Sequence, residues 1–349
     1  MLARRELLAG AAAMAAMPAR AADERRNPAA PETAIWVEGT ALPYPVQEIY
    51  PTLWRGELVA GGGFRARGPQ FVANLGALWP TSSVVSMPPL GKGWRDLPSL
   101  PEALHHPFLT VQAGRLLAIG GFVASPGAIW QMQAKCWVLD SPRGAWRAAP
   151  SLPAPQAEVA GGLVGRDLLI AGGRTPWDGQ NGSYPDHRDT GAAWRLSPGA
   201  KQWVAMPPLP TPRNSSASAV LNGRLHVAGG RVVKSGGLEN LTAHEAWDPA
   251  RERWVTLAPM PAARGGHAAA VMDGRLWCFG GESFGAGGRA HSEVFVYDPL
   301  TDNWAEGPEM PAPLHGLGAV AADGAIHLLG GASEVGGRHT RPAHYILRR

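Results

Sequence analysis

The chain has 349 residues, enough for one large or two ordinary domains, and only 17% of them are charged. Its 45 glycines and 33 prolines favour many short strands joined by turns, and its 45% hydrophobic residues exclude a disordered chain. The net charge is +4, of which Arg4, Arg5 and Arg20 against Glu6 supply +2, so charge gives no reason to expect nucleic-acid binding.

The first predicted element is an export signal over residues 1–21. Arg4-Arg5 precede an apolar stretch, residues 7–17, that is too short for a permanent membrane span. Residues 19–21 (Ala-Arg-Ala) then supply the small side chains that a signal peptidase reads. The start of the segment resembles the twin-arginine signal, by which bacteria export folded proteins, and an ordinary secretory signal is the alternative. Both predict a periplasmic or secreted protein without a membrane span in the mature chain.

After a polar linker, residues 22–32, a six-fold repeat occupies residues 33–349. In every repeat a Trp stands 26 residues before the first glycine of a Gly-Gly doublet. Two apolar runs split by a polar turn lie between them, as in residues 268–272 and 276–279, and this pattern predicts a β-hairpin. The six pairs are Trp36 with Gly62-Gly63, Trp94 with Gly120-Gly121, Trp146 with Gly172-Gly173, Trp203 with Gly229-Gly230, Trp254 with Gly280-Gly281 and Trp304 with Gly330-Gly331.

Each doublet is followed by a segment of variable length, a third apolar strand and a turn that leads to the next Trp on a fourth strand. Four antiparallel strands in about 50 residues are typical of a propeller blade. With Trp247-Asp248-Pro249 and Tyr297-Asp298-Pro299 on third strands, the pattern resembles the kelch family. The resemblance implies an all-β fold, a six-bladed kelch β-propeller with four antiparallel strands per blade.

The two ends of the chain predict how the propeller closes. Only 18 residues follow Gly331, and they contain no Trp, so blade six is predicted to lack its fourth strand. Residues 34–37 form a spare strand before the first repeat and carry Trp36 in the proper register. We expect this N-terminal strand to complete the last blade, with Trp36 buried there as Trp304 is in blade five.

The two cysteines, Cys136 and Cys278, fall in opposite blades, too far apart for a disulfide, so we predict two free thiols. No cysteine spacing typical of a zinc site occurs. Histidines from different corners could converge on a metal, but hydrogen-bonded roles are favoured. No metal and no cofactor are therefore expected.

We predict that the functional site lies on one face of the propeller. The loops after the doublets emerge on that face, beside the Pro-rich segments, or corners, that precede the hairpins. Residues directly after the doublets form one tier at the channel mouth, and residues ten to twelve after each Trp, which include Gln47, Glu48 and Gln156, form a second. Trp79, Trp130 and Trp177 lie in the loops of blades one to three. Together the candidate ligand-binding residues are Phe64, Trp79, His105, His106, Phe122, Trp130, Glu158, Arg174, Trp177, Arg213, Arg231, Arg264, Glu282 and His315.

These candidates are unevenly distributed, with aromatic rings in blades one and two and arginines in blades three to five. Flat aromatic faces beside forked cations suit a sugar or another partly apolar, partly anionic ligand. Two other interpretations stay open. Each Trp could fill a small core inside a long loop, and each Arg could bridge blades through backbone carbonyls.

One further pattern suggests catalysis. Gly280-Gly281-Glu282, followed by Arg289, is similar to the N-acetylneuraminate epimerases, also called sialic acid mutarotases. That resemblance implies that Glu282 is the acid–base group and that Arg289 holds the sugar carboxylate. Galactose oxidase is similar in fold only, because the chain has no Tyr-His dipeptide, with Tyr first, and no room for the additional domains.

The sequence therefore indicates an exported kelch-repeat propeller that acts as a binding module for a glycan or a protein at the channel mouth. A periplasmic sugar mutarotase is the alternative, and a monomer is expected. Fold alone does not decide between them, since propellers support many functions.

Overall fold

The computed structural model describes residues 34–66, 78–125, 128–235, 237–285 and 287–349. The predicted signal, residues 1–21, and the linker, residues 22–32, lie outside the described residues. Six four-stranded antiparallel sheets form the blades, as the repeat predicts. The first strands of successive blades contact one another, and the first strand of blade one contacts that of blade six, so they enclose a central channel.

In blades one to five the strands follow one another in chain order from the channel outward. Their bounds are Thr52–Trp54, Glu57–Gly61, Val84–Met87 and Arg95–Leu97 in blade one; Phe108–Gln112, Arg115–Ile119, Cys136–Leu139 and Arg147–Ala149 in blade two; Ala160–Val164, Asp167–Ala171, Ala193–Leu196 and Val204–Met206 in blade three; Ala217–Leu221, Arg224–Ala228, His244–Asp248 and Arg253–Thr256 in blade four; and Ala268–Met272, Arg275–Phe279, Val294–Asp298 and Asn303–Glu306 in blade five.

Blade six is completed by the N-terminal strand. Its strands are Gly318–Ala322, Ala325–Leu329, His344–Arg348 and Ile35–Glu38. Ile35–Glu38 pairs antiparallel with His344–Arg348, and Trp36 lies opposite Leu347, which confirms the predicted closure.

Trp36 is less buried than the sequence suggested. Trp304 is 5% exposed, whereas Trp36 is only half-buried, between the exposed Ile35 and Val37. One edge of its ring meets Phe279 of blade five, with 6.0 Å between the ring centroids. The expectation of equal burial is wrong although both tryptophans lie on the outermost strand of their blade, because the neighbours of Trp36 in its strand are exposed, whereas those of Trp304, Asn303 and Ala305, are half-buried.

The six repeat tryptophans join neighbouring blades. Each indole N–H donates to the carbonyl that stands four residues after the Trp of the preceding blade. The bonds are Trp94 to Thr40 (3.0 Å), Trp146 to Pro98 (2.7 Å), Trp203 to Pro150 (2.8 Å), Trp254 to Pro207 (2.9 Å), Trp304 to Ala258 (2.8 Å) and Trp36 to Pro308 (3.2 Å). Trp36 thus makes the last of six equivalent bonds, which explains why the Trp recurs at a fixed position.

The glycine doublets also have a conformational reason. Both glycines of every doublet have positive φ. A Cβ at Gly173 would lie 2.2 Å from the carbonyl oxygen of Ala157. The second glycine also donates its N–H to a corner carbonyl of the next blade, as Gly331 does to Val46 at 2.8 Å. A side chain at the second glycine would therefore collide with a corner of its own blade. One at the first glycine would collide with the next blade, as a Cβ at Gly120 would lie 2.3 Å from the carbonyl oxygen of Gln156.

Short strands on one face frame the channel mouth. They are Val46–Gln47, Phe64–Ala66 and Leu78–Pro80; Leu104–His105, Phe122–Ser125 and Ala128–Met132; Arg174–Pro176 and His187–Asp189; Arg231–Lys234 and Gly237–Asn240; and Glu282–Ser283 with Arg289–Ala290. Two 3-10 turns, Tyr184–Asp186 and Val335–Gly337, lie in the same loops. These elements carry the candidate site residues.

The cysteine prediction is confirmed. Cys136 and Cys278 are buried, free and in opposite blades. Burial raises the pKa of the Cys136 thiol to about 12, so it stays protonated at neutral pH. Within the described part of the chain, no helix has the length and apolar character needed to cross a membrane.

Candidate functional site at the channel mouth

One corner position recurs around the mouth in the left-handed conformation. It stands twelve residues after each repeat Trp, and its φ lies between 49° and 63° in all six blades. Blades five and six have glycine there, which adopts this conformation without strain, whereas a side chain costs roughly 1–2 kcal/mol. The occupants in blade order are Glu48, His106, Glu158, Ser215, Gly266 and Gly316. Strained residues of this kind are typical of functional sites.

The left-handed position also connects the blades. The N–H of Glu48 donates to the carbonyl of Gly316 (2.6 Å), and that of His106 donates to the carbonyl of Glu48 (3.3 Å). The N–H of Gly316 likewise donates to the carbonyl of Gly266 at 2.8 Å, and the N–H of Gly266 donates to the carbonyl of Ser215 at 2.9 Å. These bonds form much of a backbone ring around the mouth, and the ring fixes where the side chains of the corner residues start.

A pocket of about 290 Å³ lies at this ring. One wall is apolar and aromatic, and the other is polar and charged. The apolar lining is Phe64, Leu78, Trp130, Tyr184, Leu238 and Phe284, and the polar lining is Gln47, Glu48, His106, Glu158, Arg231, Glu282 and His315, with Gly336 and Gly337 beside it. An enclosed site with a few convergent polar groups is the usual form of a small-molecule site.

A buried ion pair stands at the centre of the polar wall. Nη1 of Arg231 donates to Oε1 of Glu282 at 2.6 Å, and Nε donates to Asn214 at 3.2 Å. The second oxygen of Glu282 accepts from the backbone N–H of Gly336 at 3.1 Å. Burial lowers the pKa of the Arg231 guanidinium, but the charge of Glu282, together with those of Tyr184, Glu158 and Glu48, outweighs burial and raises the pKa overall. Glu282 is thus fixed from two sides.

Glu48 and two histidines form a hydrogen-bonded chain in blades one and two. Nε2 of His105 lies 2.7 Å from the carbonyl oxygen of Ile129, so this nitrogen must donate. Nδ1 of His105 therefore accepts from Nδ1 of His106, at 2.7 Å. Nε2 of His106 then faces Oε2 of Glu48 at 2.9 Å. His105 thus orients His106 against the Glu48 carboxylate.

Glu48 is held ionised in this chain. Burial raises its pKa, but the charge of His106 and its hydrogen bond, together with the charges of His315 and Arg231, outweigh burial and lower the pKa to about 2. Burial and the charge of His106 lower the pKa of His105 well below its usual range, which keeps His105 neutral. A neutral His105 is what its acceptor role requires.

Glu158 and His315 lie on opposite sides of the ion pair. Oε1 of Glu158 accepts from the hydroxyl of Ser215 at 3.0 Å and lies 3.7 Å from Nη2 of Arg231. Nε2 of His315 lies 2.8 Å from the carbonyl of Glu334 and must donate to it. Nδ1 of His315 lies 3.4 Å from Glu282 and points toward the pocket's carboxylates.

The aromatic wall is supported by a stacked layer behind it. His105 lies between Phe64 and Phe122, with ring centroids 3.9 and 4.8 Å away. Trp130 packs edge-on against Phe122 and against Tyr184, at 5.2 and 5.1 Å. Phe122 and His105 therefore position the lining instead of forming it.

Several predicted residues lie outside the pocket. Arg213 is buried against Glu245 and the carbonyl of Val227, and Arg264 lies 3.5 Å from Glu293. Both arginines therefore pair inside their own blade, each with a carboxylate, instead of bridging two blades through backbone carbonyls. Arg174 is also buried, with its guanidinium 3.6 Å from the ring centroid of Tyr184.

The remaining predicted residues are at the periphery. Trp79 and Trp177 are 39% and 49% exposed, and Arg188 lies over the Trp177 ring at 4.6 Å. Arg289 pairs with Glu293 at 2.9 Å and lines an outer depression that adjoins the pocket at Phe284 and Gly336. The structure therefore does not bring Arg289 into the same pocket as Glu282.

The candidate list omitted six important lining residues, one of which, Gln47, belonged to the second tier. Glu48 also belonged to the second tier, and its register, twelve residues after a Trp as in His106 and Glu158, could have identified it. Tyr184, Leu238 and Phe284 come from loops of different lengths, which the repeat does not align, and Leu78 follows such a loop in blade one. For these four the sequence offers no positional signal.

Comparison with known proteins agrees with this fold. Kelch-like protein terF of Aspergillus terreus is 26% identical over 243 residues, which is 68% of this chain and 50% of terF. Human Kelch-like protein 34 is 28% identical over 201 residues, 58% of this chain and 29% of that protein. The chain thus spans half or less of the length of these relatives.

A solved structure, that of YjhT, superposes with a TM-score of 0.70 at 14% identity, covering 89% of this chain and 99% of YjhT. At this identity the likeness shows the fold alone. The KLHDC2/KLHL20/DRC7 Kelch-repeats domain matches residues 105–331, well over half of the chain. With six blades, six doublets and six indole bonds between blades, the chain belongs to the kelch-repeat family that this domain describes.

Proposed function

We propose that the mouth pocket binds a small carbohydrate and that the propeller is a glycan-binding module. The observation that carries the proposal is the ring of left-handed corners. Glu48, His106 and Glu158 occupy positions where glycine would be unstrained, and all three line one pocket. Closing the ring does not require these side chains, since blades five and six do so with glycine.

The composition of the pocket supports a sugar in particular. A pyranose ring has an apolar face that stacks on aromatic side chains and hydroxyls that both donate and accept hydrogen bonds. Trp130 and Tyr184 offer the aromatic surface, and Glu158 and Gln47 offer acceptors. The volume of about 290 Å³ suits one sugar unit, at the small end of ligand pockets.

The matched experiment compares two tryptophans by titration calorimetry against a panel of monosaccharides. Trp130→Ala removes an aromatic wall of the pocket and is expected to weaken binding at least about tenfold. Trp177→Ala removes an exposed ring outside it and is expected to bind as the wild type does. Equal affinities for the two variants, both folded by circular dichroism, would contradict the proposal. If no sugar binds, a protein partner becomes the stronger candidate.

A sugar mutarotase is the second candidate, favoured by the buried Glu282. A carboxylate there could take the proton of the anomeric hydroxyl as the ring C–O bond breaks and the open-chain carbonyl forms, and then pass that same proton to the ring oxygen. Closure onto the other face of the carbonyl reverses these transfers. Arg231, not Arg289, is the arginine beside Glu282. Glu282→Gln should abolish any acceleration of anomer exchange measured by NMR, whereas Arg289→Gln should leave it unchanged.

We also propose that the protein acts outside the cytoplasm. Arg4-Arg5 and the apolar segment after them support export by the twin-arginine route. Replacing both arginines with lysine should retain the precursor in the cytoplasm, as cell fractionation would show. Undiminished export of that variant would indicate the general secretory route.

A further inference from the structure

The mouth pocket contains polar atoms that the protein itself does not satisfy. Within the described part of the chain, Oε2 of Glu158, Oε1 of Gln47 and Nδ1 of His315 have no hydrogen-bond partner. All three side chains are 1% exposed and line the pocket. The hydroxyl of Tyr184 is in the same position. Buried polar atoms left unpaired are costly, so these four atoms indicate what a ligand should provide.

The chemistry of these four atoms indicates a ligand that carries hydroxyl groups. Glu158 and Gln47 present acceptors, so the ligand must donate to them. Burial raises the pKa of Tyr184 to about 12, so its hydroxyl can donate as well as accept at neutral pH. Sugar hydroxyls combine both roles in one group, which a carboxylate or an ammonium does not.

The charges around the pocket disfavour an anion. The lining side chains carry three carboxylates, Glu48, Glu158 and Glu282, against the single guanidinium of Arg231. Arg231 and the two histidines of the lining, His106 and His315, can offer at most three positive charges, which only balance the three carboxylates when these are ionised.

The two arginines nearest the pocket are already engaged. Arg231 binds Glu282 and Asn214, as described above. Arg174 is fully buried behind Tyr184, where its Nη2 donates to the carbonyls of Tyr184 and His187 at 2.9 and 3.0 Å. Its Nε has no hydrogen-bond partner within the described part of the chain, but it faces Oε2 of Glu158 at 4.0 Å, so the charge of Arg174 is already opposed by a carboxylate of the pocket. A ligand carboxylate would therefore be a fourth negative charge in a desolvated site, where Arg231 already faces Glu282 and Arg174 already faces Glu158.

We propose that the pocket selects an uncharged pyranose and discriminates against its acidic counterpart. This inference rests on the proposed carbohydrate function and narrows it. It reverses the sequence-based expectation of an anionic ligand, which counted Arg174, Arg213 and Arg264 as free donors. In the structure those three arginines have partners inside the protein.

The test is a calorimetric titration of the mature chain with matched sugars: glucose with glucuronic acid, galactose with galacturonic acid, and mannose with mannuronic acid, together with N-acetylneuraminic acid. The neutral member of the pair that binds best should bind at least about tenfold more tightly than its acid. If an acidic sugar binds as well or better, the inference is overturned while the sugar pocket stands. If nothing binds, the carbohydrate function itself fails.

Two pocket variants and one control test whether the preference for a neutral sugar arises in the mouth pocket. Glu158→Gln should weaken binding of the neutral sugar about tenfold, because a charge-assisted hydrogen bond is lost. It should also reduce the difference in affinity between the neutral sugar and its acidic counterpart, because one negative charge is removed. A merely damaged fold would weaken both. Glu239→Gln, an exposed partner of Lys234, is the matched control and should change neither affinity. Tyr184→Phe removes one unpaired hydroxyl without changing the ring and should weaken neutral sugars severalfold; unchanged binding in both pocket variants would refute the assignment.

Discussion

At the scale of single residues, the centre of the mouth depends on one compensated charge pair. Arg231 and Glu282 are buried, at 6% and 2% exposure, and their side chains meet at 2.6 Å. A pair of this kind is weak evidence for stability, because desolvation offsets much of the attraction. What it does provide is a fixed carboxylate at a defined place. The pair is therefore better understood as part of the site than as a stabilising bridge.

Removing one partner should be more harmful than removing both. Arg231→Met leaves the Glu282 carboxylate buried without its cation and should lower the free energy of unfolding by about 3–5 kcal/mol. The double variant Arg231→Met with Glu282→Met should recover a large part of that loss, because no unpaired charge remains. Urea denaturation measures both. A double variant less stable than the single variant would show that the pair contributes to stability in its own right.

At the scale of elements, fixed spacing and loop length explain what could be predicted. The 26 residues from each Trp to its doublet contain a hairpin of constant length. The repeat therefore correctly predicted the six blades and the strand that closes the last one. The same register placed His106, Glu158, Arg231, Glu282 and His315 at the mouth, and all five line the pocket.

The rest of the site depends on contacts that spacing does not reveal. The loops after the doublets differ in length, so the positions of Tyr184 and Phe284 do not follow from the repeat. The carboxylates that neutralise Arg213 and Arg264 are Glu245 and Glu293, on or beside third strands and remote in sequence. An arginine in a promising register can therefore be internal, which is why the anionic expectation arose.

The role of the closing strand can be tested by comparing two tryptophans that occupy the same position of the repeat. Trp304→Ala should lower the free energy of unfolding by about 3–5 kcal/mol, as for a buried Trp. Trp36→Ala, at the equivalent position but half-buried, should cost less, about 2 kcal/mol, although both lose an indole bond to the preceding blade. Thermal unfolding ranks the two variants. If Trp36→Ala leaves stability unchanged, the N-terminal strand does not close the ring in solution.

At the scale of the whole molecule, acid stability should be limited by buried histidines, and two pairs of them occupy matching places in blades four and six. Nδ1 of His226 lies 3.0 Å from Nε2 of His244 in blade four, and Nδ1 of His327 lies 2.9 Å from Nε2 of His344 in blade six. Burial, with nearby positive charge, lowers the pKa of His226 and His327 to about 4 and that of His244 to about 3. The two blades share this arrangement at corresponding strand positions.

The sign of the pH effect follows from these directions. Above pH 6.5 the histidines are neutral in both folded and unfolded chains, so stability is unaffected by them. As the pH falls from 6.5 toward 4, the unfolded chain binds protons that the folded chain does not. Each histidine should then cost up to about 1.4 kcal/mol per pH unit. His226→Gln should make the decline measured by urea denaturation less steep, and His339→Asn, at an exposed site, should not; equal slopes would contradict the account.

The most direct test of the central claim is a crystal structure of the mature chain with the neutral sugar that binds most tightly. The account predicts a pyranose in the mouth pocket, stacked on Trp130 or Tyr184, with a hydroxyl about 3 Å from Oε2 of Glu158. A sugar bound only in the outer depression beside Arg289, or on the opposite face of the propeller, would contradict it.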